Sequence, residues 1–208
     1  MRPKAEQTRF TPPALDTAWL PDDLLPCVEF HGHLCPGLVI GYCATKLAMQ
    51  RLGIGRAEDE ELIAIVENDS CAVDAVQVLT GCTFGKGNLK FLDHGKMAFT
   101  FATRRDGRSV RLLYRPQLLP KGQTMPGEHQ RAWTIKQLLT HDRLELFEIQ
   151  DDVLCELPPR AQCYETIWCD ACGERTMATR IETIDEKKLC AACRDQTLPI
   201  QSNERKPE

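Results

Sequence analysis

Four cysteines near the end of the chain have the spacing of a tetrahedral metal site. They form two CxxC pairs, Cys169/Cys172 and Cys190/Cys193, separated by 17 residues. Each pair supplies two soft thiolate ligands, and Zn²⁺ prefers four such ligands in a tetrahedron. The alternative is that the four cysteines only pack or form disulfides, which the doubled spacing disfavours. The sequence therefore predicts one structural Zn²⁺ per chain.

The segment around the second pair predicts the fold of this zinc module. MATRIETIDEKKL (residues 177–189) offers two short strands, and CAACRDQTL (190–198) can begin a helix that carries its ligands in the first turn. This order is more typical of a treble-clef finger than of a flat ribbon. A module of this size cannot build a sufficient apolar core, so we expect the metal to stabilise it directly. Its charges nearly balance, which favours a structural or protein-contact role over phosphate binding.

A second set of metal-ligating residue types lies near the N-terminus, in EFHGHLCPG (residues 29–37). His31, His33 and Cys35 occupy alternate positions, so an extended backbone would turn all three to one side. Cys35 precedes Pro36 at a predicted helix N-terminus, where unpaired N–H groups favour the thiolate. We predict that His33 and Cys35 are catalytic and that His31 binds a cofactor. The alternative is that the histidines only form hydrogen bonds and Cys35 fills buried space.

A third set lies in ENDSCAVDAVQVLTGC (residues 67–82), a predicted strand end followed by a helix. The helix is apolar except for Cys71, Asp74 and Gln77, which share one stripe at spacings of three. Polar groups on a buried helix need partners, so this stripe should face a cleft or a metal. We predict Cys71 as nucleophile or ligand and Asp74 as its orienting carboxylate, with Glu67 and Asp69 as further acceptors. A purely internal Asp–Gln hydrogen bond is the alternative.

The glycine-rich segment GCTFGKGN (residues 81–88) is a candidate anion-binding turn. Its spacing differs from that of a nucleotide phosphate loop, and Gly87 stands where Ser or Thr would bind Mg²⁺. Backbone N–H groups with Cys82, Thr83 and Lys86 can still form an anion nest, and we predict these three as cofactor-binding residues. A plain tight turn is the alternative. Three histidines in polar surroundings are expected at the surface: His94, His129 and His141.

The elements that must position these residues indicate an α+β fold. Helices are predicted over 22–31, 36–52, 71–81 and 126–140, strands over 61–68 and 144–153, and a hairpin over 96–115 with Asp106-Gly107 at its turn. We predict an N-terminal arm over 1–20, an α+β core domain over 21–157, a four-cysteine zinc domain over 158–200 and a disordered tail over 201–208.

Composition limits the class of protein. The net charge is only −4 and 42% of the residues are hydrophobic, which indicates a globular protein without a generic nucleic-acid charge. No apolar stretch reaches the roughly 20 residues of a membrane span, and no apolar segment follows the N-terminal cations as in a signal peptide. We expect a cytoplasmic protein without a membrane partner. There are eleven cysteines, and this odd count favours reduced thiols and metal binding over disulfides.

Several of these segments together resemble one protein family. HGHLCPG (31–37), ENDSCAVDAVQVLTGCTFGKGN (67–88), DHGKMAFTF (93–101) and the CxxC pairs are similar to the FmdE family, which takes its name from formylmethanofuran dehydrogenase. The resemblance covers roughly residues 24–195. It implies an α+β core domain followed by a treble-clef zinc domain, a homodimer, and a cleft of cysteine and histidine. The implied cleft residues are His31, His33, Cys35, Cys71, Asp74 and Cys82.

Two functional hypotheses follow. The first is an enzyme or enzyme subunit, in the class of oxidoreductase subunits or thiol- and metal-dependent enzymes, with a Cys/His cleft for a small-molecule substrate and a second transition metal. The family name links this hypothesis to molybdenum- or tungsten-dependent one-carbon chemistry. The second is a non-enzymatic adaptor or metal-sensing regulator whose zinc domain binds a partner protein or nucleic acid. Metal stoichiometry and thiol reactivity separate the two.

Overall fold

The computed structural model of the chain describes residues 19–116 and 127–195. The predicted arm over 1–20 therefore lies almost entirely outside the described residues, and the predicted tail over 201–208 lies wholly outside them. The chain divides into two compact units, Met1–Arg160 and Ala161–Glu208. Within the described ranges, no helix is long and apolar enough to cross a membrane.

The first unit is built on a mixed five-stranded sheet with the strand order β2-β1-β3-β4-β5. The strands β1 and β2 are parallel, and every other neighbouring pair is antiparallel. The strand bounds are β1 Leu62–Val66, β2 Leu89–Phe91, β3 Ala98–Thr103, β4 Ser109–Tyr114 and β5 Phe147–Asp151. The helix bounds are α1 Leu25–His31, α2 Pro36–Leu52, α3 Ala72–Thr80, α4 Gly127–Thr140 and α5 Arg143–Leu146. The predicted mixture of helix and sheet is confirmed.

The helix α2 is the centre of this unit and packs against α3, α4 and the sheet. It begins at Pro36, whose missing N–H costs nothing at a first turn. It ends before Gly53, which has a φ of +63° and closes the helix in the left-handed conformation. Most of its side chains are buried, and they form the core together with Phe99, Phe101 and Leu112 of the sheet.

Two elements differ from the sequence-based expectation. The sequence does not predict the strand β2, because three residues carry no measurable periodicity, and its pairing with β1 is a long-range contact. The strand expected over 144–153 begins instead with the short helix α5. Asp142 accounts for this difference, because its side chain accepts a hydrogen bond from the Leu144 N–H at 3.0 Å and starts a helical turn.

The second unit contains two short hairpins and one short helix. Its strands are β6 Thr166–Trp168, β7 Arg175–Met177, β8 Ile181–Ile184 and β9 Lys187–Cys190, followed by α6 Ala191–Arg194. Strand β6 pairs with β7, and β8 pairs with β9. The two strands and the helix start expected around the second cysteine pair are therefore confirmed.

Candidate functional site

The end of α1 and the start of α2 bring three metal-ligating side chains together. Gly32 follows α1 with a φ of +89°, and its N–H closes the helix on the Val28 carbonyl at 2.8 Å. This left-handed residue reverses the chain, so that His31, His33 and Cys35 each place a ligand atom within 4.8 Å of the other two. The two imidazole rings lie 4.5 Å apart. The donor set of two imidazoles and one thiol suits a borderline transition metal such as Zn²⁺.

The helix α3 supplies a carboxylate that orients one of these ligands. Asp74 Oδ2 lies 2.7 Å from His31 Nδ1, and Gln77 Nε2 donates to Asp74 Oδ1 at 3.5 Å. A carboxylate at Nδ1 keeps the proton on that nitrogen, which leaves the Nε2 lone pair available to a metal. His31 Nε2 lies 3.8 Å from Cys35 Sγ. The Asp–Gln contact is therefore not purely internal, because Asp74 also reaches the Cys/His cluster.

Two thiols meet where α2 and α3 begin. Cys35 caps α2, and its Sγ accepts the Leu38 N–H at 3.4 Å. Cys71 is the residue before α3, and burial raises the pKa of its thiol, with the neighbouring Cys35 raising it further. A methyl group at Gly37 would lie 3.8 Å from Cys71 Sγ and 3.9 Å from Cys35 Sγ. The missing side chain of Gly37 thus leaves a small space that both sulfurs border.

The structure does not bring the predicted residues of the glycine-rich loop to this cluster. Cys82 is fully buried, its thiol donates to the Leu62 carbonyl at 3.3 Å, and burial raises its pKa to about 11. The Thr83 hydroxyl accepts the Lys86 N–H at 3.3 Å, and Lys86 Nζ donates to the carbonyls of Glu58 and Asp59. These contacts are those of a tight turn, which was the alternative interpretation of the segment.

A buried asparagine that sequence analysis overlooked holds this turn. Asn88 is completely buried, and its Nδ2 donates to the carbonyls of Asp59 and Leu62 at 3.1 and 3.0 Å. Its Oδ1 accepts the Thr83 N–H at 2.9 Å. Asparagine at the end of a glycine-rich loop is itself a turn signal, which could have suggested this role.

Glu67 does not serve as a free acceptor at the end of β1. Its carboxylate is bound by Arg111 through Nε at 2.6 Å and Nη2 at 3.0 Å, and His94 Nδ1 lies 3.2 Å away. The hydrogen bond from Arg111 lowers the pKa of Glu67 most, although burial opposes it. Asp69 is exposed. An arginine within the apolar strand SVRLLY was the available signal for this buried pair.

The second unit gathers the four cysteines of the two CxxC pairs. The sulfurs of Cys169, Cys172, Cys190 and Cys193 all lie within 4.8 Å of one another, and all four are free thiols. The Cys190 N–H donates to Cys169 Sγ at 3.4 Å. Backbone hydrogen bonds from Cys172 and Cys190 lower the pKa of Cys169 to about 6. Four convergent sulfurs with N–H donors fit a thiophilic metal ion.

An α+β unit with a Cys/His cluster, and a second unit with a four-cysteine cluster that can hold a metal, define a class of metal-binding protein. The chain belongs to the FmdE family. The family model described as "FmdE, Molybdenum formylmethanofuran dehydrogenase operon" matches residues 30–154. The resemblance inferred from the sequence is therefore confirmed.

Two relatives agree with this assignment. A probable S-adenosyl-L-methionine-binding protein of Archaeoglobus fulgidus is 32% identical over 193 residues, which cover 82% of this chain and 52% of that protein. The chain thus spans about half the length of this curated relative. A crystal structure of an FmdE-like protein of tungsten formylmethanofuran dehydrogenase from Syntrophus aciditrophicus superposes with a TM-score of 0.57 at 27% identity. That match covers 85% of this chain and 92% of the other.

Proposed function

We propose that the chain is a metal-dependent enzyme or enzyme subunit whose first unit binds a transition metal through His31, His33 and Cys35. The observation that carries this proposal is the convergence of three ligand atoms within 4.8 Å, with Asp74 on the far nitrogen of His31. Three protein ligands that leave a coordination position open are typical of catalytic metal sites, whereas structural sites are closed by four. A carboxylate behind a histidine ligand is likewise typical of such sites.

The residues around this cluster have distinct roles in the proposal. A bound metal would supply Lewis-acid polarisation of a substrate oxygen or nitrogen. Asp74 keeps the proton on His31 Nδ1, and Cys71 places a second thiol beside Cys35 as nucleophile or additional ligand. The space left by Gly37 admits the reacting group of a small molecule. The family name and the Syntrophus relative support a substrate with a one-carbon group, as in formylmethanofuran chemistry.

For the second unit we propose a treble-clef domain that binds one structural Zn²⁺. The order of a CxxC knuckle, a hairpin and a helix that begins at the second ligand pair supports this proposal. The sulfur-only donor set favours Zn²⁺ among the metals that are common in proteins. The homodimer implied by the family resemblance remains part of the proposal.

Metal content tests the proposal directly. We expect two metal ions per chain when the reduced protein is loaded with Zn²⁺, desalted and measured by inductively coupled plasma mass spectrometry. Cys35→Ser and Cys169→Ser should each lose one ion, and the exposed Cys163→Ser, a matched control, should lose none. One ion in the parent protein, with no change in Cys35→Ser, would contradict the proposed site.

A non-enzymatic adaptor is the second candidate, and one surface of the second unit favours it. Trp168 is 62% exposed and Met177 is 54% exposed on the paired strands β6 and β7. The Arg175 guanidinium lies over the Trp168 ring at 5.5 Å, which holds the aromatic ring at the surface. Exposed aromatic, methionine and arginine side chains are enriched at protein interfaces. A single metal ion per chain with unreactive N-terminal thiols would favour this function.

A further inference from the structure

We propose that Cys35 and Cys71 form a reversible intramolecular disulfide, and that this disulfide and a metal ion at Cys35 exclude each other. The disulfide itself depends only on the positions of the two thiols. The exclusion of metal rests on the proposed function, because it requires Cys35 to be a metal ligand. The pair is thus a site of oxidative modification within the Cys/His cluster.

The packing of α2 against α3 holds the two sulfurs together. Both border the point where a Cβ at Gly37 would lie, at 3.9 Å for Cys35 and 3.8 Å for Cys71. The same point is 3.2 Å from Cys71 Cβ, so the backbone of α2 passes directly beside the Cys71 side chain. Because both residues stand at the first turn of a helix, neither backbone needs to move far to bring the sulfurs into bonding distance.

The other cysteines of the first unit are poorly placed for this chemistry. Cys27, Cys43 and Cys82 are buried, and each thiol donates to a backbone carbonyl of its own surroundings. By contrast, Cys35 and Cys71 are partly exposed. Cys35 Sγ also accepts the Leu38 N–H, which favours the nucleophilic thiolate at this position. Access and partner geometry therefore select this pair.

The reaction requires a two-electron oxidant, for which hydrogen peroxide suffices. The Cys35 thiolate attacks one peroxide oxygen, the O–O bond breaks, and the departing hydroxide takes up a proton to form water. The Cys71 sulfur then attacks the resulting sulfenic acid, so that the S–S bond forms, the S–O bond breaks, and the Cys71 proton leaves with hydroxide as a second water. The two thiols lose two electrons together, and peroxide is reduced to two water molecules.

A metal ion at Cys35 opposes the first step. The sulfur lone pair that would attack peroxide is the one donated to the metal, so a bound metal should slow oxidation. Conversely, a disulfide removes the thiolate ligand and leaves only His31 and His33 as the convergent donors. Loss of one of three ligands should release the ion.

The test uses the full chain, first in a reduced and chelator-treated form and then loaded with Zn²⁺. After exposure to hydrogen peroxide, free thiols are alkylated and linked peptides are identified by tandem mass spectrometry. We expect a Cys35–Cys71 linked peptide that dithiothreitol removes. Preloading with Zn²⁺ should slow its formation at least about tenfold, with oxidation releasing one ion per chain.

Two variants and one control sharpen this test. Cys71→Ser should trap Cys35 as a sulfenic acid that a dimedone reagent labels. Gly37→Ala should slow disulfide formation by roughly tenfold or more, because its methyl group enters the space between the sulfurs. Gly85→Ala, where a methyl group meets nothing within 4 Å, is the matched control and should not change the rate.

The outcomes separate the two parts of the proposal. If Cys35 is oxidised while Cys71 remains alkylatable in the metal-free protein, or if Cys35 links to another cysteine, the disulfide is overturned. If the disulfide forms at equal rates with and without Zn²⁺, the exclusion of metal is overturned and the metal site of the proposed function fails with it. A disulfide with zinc-dependent formation supports both.

Discussion

At the scale of single residues, the contact between Asp74 and His31 gives the Cys/His cluster its direction. The carboxylate lies 2.7 Å from Nδ1 and comes from another helix, 43 residues along the chain. It therefore acts on a metal only through the imidazole, as a positioning residue. The thiol of Cys35 and the ring of His33 lack such an orienting contact among the described hydrogen bonds.

We expect Asp74→Asn to weaken Zn²⁺ binding at the Cys/His cluster by about 10–100-fold. The amide keeps the size of the carboxylate but removes the charge that favours the proton on Nδ1. Competition with a chromophoric chelator measures the affinity, in a Cys169→Ser background so that only one site is observed. The exposed Asp69→Asn is the control. An unchanged affinity in Asp74→Asn would show that the carboxylate does not support a metal ligand.

The buried Glu67 makes stability depend on pH. Its pKa is lowered by Arg111 in the folded state, so the stabilisation is fully present above the unfolded pKa of about 4.3 and is lost as the pH falls through the lowered folded value. Glu67→Gln should destabilise the protein by about 1–3 kcal/mol at pH 7, because Arg111 loses a charged partner. The difference should shrink on acidification. Urea unfolding from pH 7 to pH 3 measures it, with the exposed Glu29→Gln as control.

At the scale of elements, the contact between α2 and α3 positions both cysteines of the cluster. A Cβ at Gly41 would lie 2.1 Å from the Ala72 carbonyl oxygen, so no side chain fits between the two helices here. Cys71 precedes Ala72 directly, and Cys35 precedes the first turn of α2. The close crossing therefore sets the distance between the two thiols.

We expect Gly41→Ala to force α2 and α3 apart and to lower the free energy of unfolding by about 1–3 kcal/mol, since a close-packed backbone cannot give way without cost. It should also slow formation of the Cys35–Cys71 disulfide. Urea denaturation provides the stability, and the alkylation assay provides the rate. Gly55→Ala, which meets nothing within 4 Å, should be nearly neutral. Equal stability of the two variants would contradict the proposed role of the crossing.

At the scale of the whole molecule, the two units differ in what holds them together. The first unit has a contiguous core that includes Leu38, Val39, Phe99, Phe101 and Leu112, all of which are fully buried. The second unit buries few apolar side chains, and its most buried residues are Cys169 and Cys190. Its fold therefore depends on the four-cysteine cluster rather than on apolar burial.

We expect Cys169→Ser or Cys190→Ser to remove one bound metal ion and to unfold the chain after about Gln162, while the first unit keeps its structure. Limited proteolysis should then cut within residues 161–195, and circular dichroism should retain the cooperative unfolding of the first unit. Cys163→Ser, which removes an exposed thiol outside the cluster, should leave the protease pattern unchanged. A protected second unit in metal-free protein would show that the metal is not what stabilises it.

The sequence by itself was sufficient wherever the relevant geometry is local. The CxxC spacing, the capping position of Cys35 before Pro36, and the apolar stripe of α3 each follow from the regular geometry of a few consecutive residues. Those features predicted the α+β class, the four-cysteine cluster and the family resemblance. The burial of Cys82 did not follow, because the same glycine-rich spacing suits an exposed nest and a turn held from below by Asn88.

Only the tertiary structure decided which distant groups meet. Asp74 reaches His31 and Arg111 reaches Glu67 across more than forty residues in each case. Such pairs depend on the crossing of α2 and α3 and on the register of β1, β3 and β4, which local propensity does not specify. The consequence is chemical as well as architectural. The sequence places an acid, a histidine and two cysteines in the chain, and the packing determines that the acid serves the histidine and that the cysteines face each other.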